Sequence, residues 1–351
     1  MPIDKYSLLI GKAVFSRLGS GENPHYSIEV VDNTKQYRIA VNVQSDEGSD
    51  VEYVIFPNWE HPIIDYIQKM EPGLHPIDSK KNGMPALDYI RANIASPNSF
   101  ISLPMNLIGP NNDLNEKINQ YVWRAMADSK SRIYVFGSAW GPEEQSRDQV
   151  FGFLPGYGIH NIHMNQGNDD DKHKVDNGVW QDGGLIFHFS KPDQWVAIFL
   201  KFKSQSWHTK DDDGDPIEKL TYSPLSDLKS TLMSNSIIQT ASGRPEGLIK
   251  IMAARISDIE GPEQSSSVTI LNISNFEISL NGWSIVDIEM NQMYLYGKID
   301  PGMAKTLSII GHLNLSNRGG LITLLDDEGT KVDGVAFSHS KLREPGWTIT
   351  F

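Results

Sequence analysis

The feature that most restricts the fold is a repeated alternation. Short runs rich in Val, Ile, Tyr and Phe are separated by clusters of Gly, Asn, Asp and Ser. YSLLIGKAVFSRL, HYSIEVVD, QYRIAVNVQ and VEYVIFP follow one another at the start of the chain, and segments of this kind read as strands. In the third run Tyr37, Ile39, Val41 and Val43 alternate with Arg38, Ala40, Asn42 and Gln44, the period-two pattern of a half-buried strand. From Leu248 onward the chain reads almost wholly this way, through LIKIMAARISD, SVTILNIS, WSIVD, QMYLY, KTLSII, GLITLLDD and KVDGVAF. Even spacing of short strands over about 90 residues suggests a β-sandwich.

Helical periodicity is confined to the first part of the chain. After His61-Pro62, residues Ile63, Ile64, Ile67 and Met70 recur at helical spacing, and ALDYIRANI at 86–94 places Leu87, Ile90 and Ile94 on one stripe. Asp113 with Glu116 three residues on is a capping-box signature for a helix running to about Ser129. RIYVFG at 132–137 is a further strand. TASGRPEG has the composition of a linker. The architecture expected is α+β: a β-rich N-terminal domain over 1–240, an all-β immunoglobulin-like sandwich over 248–337, and a tail over 338–351. The closing WTITF reads as one more strand, with GIHNI or the first strands as its expected partners.

Composition removes several classes of function. The formal net charge of −13 repels a phosphate backbone, which argues against general nucleic-acid binding. With no cysteine, disulfide frameworks, thiolate zinc sites and a Cys nucleophile are excluded. No apolar stretch approaches the length of a membrane span. MPIDKYSLLIGK has neither a basic n-region nor an apolar h-region, so the expected location is the cytoplasm, or outside by a route without a cleavable signal peptide.

Two resemblances follow from particular motifs. Val268 to Asn275, Leu280-Asn-Gly-Trp283-Ser-Ile-Val-Asp287, Ile299-Asp-Pro-Gly302, Leu315-Ser-Asn317, Leu324 to Gly329 and Val332-Asp333 together resemble a lamin-tail domain. That resemblance implies an immunoglobulin-like sandwich with Trp283 as a core anchor. Bacterial lamin-tail domains are commonly appended to hydrolases and nucleases. The whole chain resembles the YukJ-like family through His25-Tyr26, Tyr37 to Val43, Leu87 to Arg91, Asn112 to Asn115, Trp140 to Glu143, Gly158 to Asn168, Asp176 to Gly184, Ser204 to Thr209 and Glu344 to Phe351. This resemblance implies no particular reaction, so the functional argument rests on the residues.

Residues 158–209 hold five of the ten histidines: His160, His163, His173, His188 and His208. Read as a strand, GIHNIHMNQGN puts His160, Ile162, Met164 and Gln166 on one face and Asn161, His163 and Asn165 on the other. Gln181 and Asp182 precede Gly183-Gly184, a pair that signals close backbone approach. Leu185, Phe187 and Phe189 then face one way and Ile186 and His188 the other. The strand beginning at Trp195 is apolar on both faces and ends in Ser204, Gln205, Ser206 and His208. If the three strands are neighbours, these groups meet in one partly solvent-facing cleft.

The expected chemistry is that of a hydrolase acting on a phosphodiester, ester or amide bond. His163, His208, Asp182 and His160 are its catalytic candidates; Asn165, Gln166, Gln181, Gln205 and Ser206 would position a small-molecule or polymer substrate. A divalent metal ion held by His160 and His188 is the metal-assisted version. The rival reading is a non-enzymatic module that binds a carbohydrate or an acidic polymer. Several motifs are absent. His160-x-x-His163 lacks the spacing and Glu of the helical zinc-protease motif, DDDGDP has Leu220 where a calcium loop needs Glu, and Ser138 lacks the nucleophile-elbow context.

Overall fold

The computed structural model describes residues 6–19, 25–44, 51–76, 93, 99–103, 114–140, 144–155, 160–164, 183–202, 248–257, 266–289, 291–327, 331–342 and 346–351. It is strongly β-rich, and two α-helices occur among these residues. The chain divides into two compact units. The second is drawn mainly from residues after 215, together with the short stretch Ile90–Ile94.

The first unit contains β1 (Tyr6–Arg17), β2 (His25–Val31), β3 (Gln36–Asn42), β4 (Val51–Phe56), α1 (Ile64–Ile67), β5 (Gly73–Pro76), β6 (Ile101–Ser102), α2 (Leu114–Ala127), β7 (Arg132–Trp140), β8 (His160–Met164), β9 (Gly183–Ser190) and β10 (Asp193–Phe202). The four opening runs of the sequence are thus strands. The expected helix near residue 64 is a single turn. Of the expected helix at 86–94 only Asn93 is described, and its φ of 52° is left-handed and not helical.

The pairings close a ring. β1 pairs with β2, β2 with β3, β3 with β8, β8 with β7, and β7 back with β1. All are antiparallel except β3 with β8, which is parallel. One long strand serves both of its ring neighbours: Tyr6 to Gly11 of β1 lie against β7, and Lys12 to Arg17 against β2, with a register irregularity between Ala13 and Phe15. A bulge of this kind raises the local twist and bends the strand, which tight closure requires. Leu9, Tyr26, Ile28, Val30, Tyr37, Ile39, Val41, Ile133, Val135, Ile162 and Met164 fill the interior. α2 adds Leu114, Ile118, Val122 and Ala125, the apolar stripe of the expected helix.

Outside the ring, β5 borders β1, and β9, β10, β4 and β6 extend the sheet from β7. β10 is covered on both faces, as its unbroken apolar run requires. Val196, Ile198, Leu200 and Phe202 join the main core, while Phe199 on the other face lies 5.6 Å from the ring of Trp59. Gly183 and Gly184 have a packing role. A Cβ at Gly183 would stand 2.3 Å from the Phe136 carbonyl oxygen, and one at Gly184 would stand 2.3 Å from the Phe199 ring.

The second unit holds β11 (Ile249–Arg255), β12 (Ser267–Asn272), β13 (Ile278–Ser279), β14 (Ser284–Val286), β15 (Gln292–Tyr294), β16 (Lys298–Ile299), β17 (Ala304–Ser308), β18 (Gly319–Leu325), β19 (Lys331–Ser338) and β20 (Thr348–Thr350). They form two four-stranded sheets, β17-β12-β11-β20 and β15-β14-β18-β19, and a ribbon of β13 with β16. One apolar cluster joins them through Ile251, Ile270, Trp283, Ile285, Ile322, Leu324, Phe337 and Ile349. WTITF does supply a strand, but its partner is β11 and neither GIHNI nor the opening strands. Ile349 buries in the second unit's core, which decides the pairing. No helix among the described residues is long and apolar enough to cross a membrane.

Because the Gly183 contact is with backbone, it cannot be relieved by a side-chain rotation. Gly183→Ala is expected to lower stability by about 1–3 kcal/mol, read as a shift in the midpoint of chemical denaturation.

Candidate functional site

The barrel strands have an outer face as ordered as their core. With Tyr26, Ile28, Val30, Tyr37, Ile39, Val41, Ile162 and Met164 inside, the alternate positions His25, Ser27, Glu29, Arg38, Ala40, Asn42 and His163 share the outer side. Register places Ser27, Ala40 and His163 in one row across β2, β3 and β8, and Glu29 opposite both Phe15 and Arg38. His163 lies beyond β3 from His25, yet their rings meet. Ala40, between them on β3, is too small to keep them apart. The ring centroids are 5.1 Å apart and the two Nε2 atoms 3.1 Å apart. One ring therefore donates its N–H and the other accepts through a bare nitrogen.

His163 is only 7% exposed, so the solvent-facing position expected for it is not what the structure has. Burial holds its imidazolium form down to a pKa of about 3, with the charges of His25 and Arg38 acting in the same direction. At neutral pH it is an uncharged ring.

Arg38 forms a buried ion pair with Asp148. Asp148 organises the segment that follows β7. Its Oδ2 accepts the Phe151 N–H at 2.6 Å, its own N–H donates to the Phe153 carbonyl at 2.9 Å, and its carbonyl accepts the Gly152 N–H at 3.0 Å. Residues 148–153 thus form a compact turn tied through Arg38 to the outer face of β3. The turn carries Phe151, whose ring meets Phe15 edge-on at 5.9 Å and Phe153 at 5.7 Å. Phe15 is 55% exposed. The result is a row of three aromatic rings beside a polar face.

The other candidates fall elsewhere. His188 is bound within its own hairpin: its Nε2 lies 2.7 Å from Asp193 Oδ1 and its ring stacks on Trp195 at 4.4 Å. His188 pairs with Arg132 of β7 and His163 with Ser138 of the same strand. Six residues of strand, about 20 Å, separate the two rows. His160 pairs with Tyr37 at the opposite end of β8 from Met164, farther still from His188, so the backbone does not bring the expected metal pair together. Among the described residues no group of three His, Cys, Asp or Glu is placed to hold a metal ion. Asn165, Gln166, Gln181, Asp182, Gln205, Ser206 and His208 lie outside the described residues.

Sequence reasoning assigned no role to His25, Arg38 or Asp148. His25 and Arg38 stand at the polar positions of their alternating strands, which was the available signal. Asp148 sits in a polar loop and carried none.

These residues fall within a recognised family. Residues 1–214, which include every strand from β1 to β10, match the family model described as "Uncharacterized conserved protein (DUF2278)", and the chain belongs to that family. It is 40% identical over 230 residues to "Uncharacterized protein YukJ" of Bacillus subtilis (strain 168), a match that covers 64% of this chain and 100% of that protein.

Two consequences are measurable. An unfolded His163 takes up a proton near its ordinary pKa of 6.5, whereas the folded one does so only near 3. Its contribution to stability is therefore complete above pH 6.5 and is lost as pH falls toward 3. Between pH 6 and 4 stability should decline by up to about 1.4 kcal/mol per pH unit on this account, and His163→Gln should flatten the slope in urea titrations across that range. Asp148→Ala leaves Arg38 buried without its carboxylate and should cost about 3–5 kcal/mol. Removing Glu277, the exposed partner of Lys298, should leave the denaturation midpoint nearly unchanged.

Proposed function

We propose that the first unit is a binding module that holds a carbohydrate polymer across the outer face of β1 and β2, beside the exposed Phe15. The observation that carries this reading is the row of Phe15, Phe151 and Phe153 set beside the polar side chains of that face. Flat apolar rings suit the C–H faces of sugars, and the half-buried carboxylate of Glu29 beside them is the kind of group that accepts from hydroxyls. Topology supports the same reading by analogy. A closed ring ordered β1-β2-β3-β8-β7, with β3 parallel to β8 and a helix preceding the fourth strand, has the layout of an OB-fold. That fold binds oligonucleotides and oligosaccharides at this face and its adjoining loops. The net charge of −13 disfavours the nucleic acid and leaves the sugar.

The hydrolase reading retains one specific support, the 3.1 Å contact of His25 with His163. In that reading the half-buried His25 would face the ester, phosphodiester or amide substrate as the proton-transfer group, and the uncharged His163 would orient its ring. We further infer that the second unit is an immunoglobulin-like sandwich of the lamin-tail type. Its two four-stranded sheets share one core, Trp283 is buried in it, and Gly302 turns at φ 68°.

A panel of soluble polysaccharides and single-stranded oligonucleotides, tested by calorimetry and affinity electrophoresis, separates the readings. Binding of a polysaccharide that weakens at least tenfold in Phe15→Ala and Phe151→Ala is the expected result. Salt-dependent oligonucleotide binding instead would overturn the sugar assignment. Turnover of a generic ester, phosphodiester or peptide, abolished by His25→Ala and His163→Ala, would establish the hydrolase.

A further inference from the structure

The second unit contains a residue that its own strands do not supply. Asn93 stands far upstream of β11 in sequence, yet it is buried over the paired strands β18 and β19. Its Nδ2 lies 2.9 Å from Thr323 Oγ1 and 3.2 Å from each of the Ile322 and Val335 carbonyl oxygens. Ile322 and Val335 face each other in the ladder, and Thr323 faces Gly334. The amide therefore caps two adjacent rungs of one sheet, using carbonyl lone pairs that the ladder leaves available.

The sheet is shaped for this guest. A Cβ on Gly334 would stand 2.0 Å from Asn93 Oδ1, so glycine at 334 leaves the space that the amide occupies. The guest is shaped as well. Asn93 holds a positive φ of 52°, a conformation that asparagine tolerates better than most residues. Asn93 lies inside the stretch matched by the family model, residues 1–214, whereas its acceptors at 322–335 lie outside it.

We infer that the notch over Thr323 and Gly334 is a receptor for Asn93, and that the second unit is completed by this one residue from the family region of the chain. Chain continuity alone does not account for the fit: an amide, a left-handed backbone and a glycine-lined space must coincide. The second unit is thereby discontinuous in sequence, with β18 and β19 depending on a residue supplied before α2.

Hydrogen exchange on the full chain tests this directly. Asn93→Gly tolerates the left-handed backbone and removes the side-chain amide. It is expected to raise exchange at residues 319–338 at least tenfold while leaving β2 and β3 unchanged. Asn93→Asp, nearly isosteric but without an N–H, should act similarly. Gly334→Ala should displace the Asn93 amide and reproduce the pattern from the other side. Should any of these chains fail to fold, Thr323→Val removes one acceptor from within the sheet and should give a smaller increase at the same residues. Protection at 319–338 that stays within twofold of the parent chain in Asn93→Gly and Thr323→Val would overturn the inference.

Discussion

The parallel pairing of β3 with β8 is the contact on which the first unit depends. Without it β1, β2 and β3 would be an open meander, with β3 presenting an unpaired edge. With it the ring closes, Ile162 and Met164 complete the interior, and His163 comes to lie beside Ala40. Parallel partners cannot be joined by a tight turn. The connection from β3 to β8 accordingly contains β4, α1, β5, β6, α2 and β7. Closing such a distant contact is entropically costly, and the large apolar interior offsets it.

The same closure makes the outer face chemically distinct. Polar residues on a barrel exterior are normally solvated, and their charges are then of little consequence. Here the turn at 148–153 covers part of that exterior. Arg38 and Asp148 are thereby removed from water together, and His163 is held uncharged. A buried ion pair is weak evidence for added stability but strong evidence for a defined geometry, since neither partner can be left alone there. The pair fixes where Phe151 stands, and so fixes the aromatic row with Phe15. One electrostatic tie thus positions the surface through which this unit is proposed to act.

Much of the fold was legible because it rests on local periodicity. The opening strands, the stripe of α2 and the covered strand β10 all follow from which residues recur at intervals of two or of three and four. The face of His163 opposite Ile162 and Met164 also follows from alternation. The glycines at 183 and 184 signalled close approach, and the approaching groups are the Phe136 carbonyl, Met164 and Phe199. The site was less legible. Residues close in sequence were grouped, yet His188 turns back to Asp193 in its own hairpin while His163 meets His25 from the start of the chain.

The sequence by itself determined which segments are strands, which side of each strand is apolar, and that the chain is acidic and free of cysteine, because these depend on side-chain type and spacing alone. Tertiary structure decided which strands are neighbours. Backbone hydrogen bonding is nearly indifferent to side-chain identity, so β8 could in principle have paired with any exposed edge. In the first unit closure made His25 the partner of His163 and Arg38 the partner of Asp148; in the second, its own core made β11 the partner of the closing strand and the space above Gly334 the seat of Asn93. Each choice turns on the shape of a packed interior, which no single segment contains.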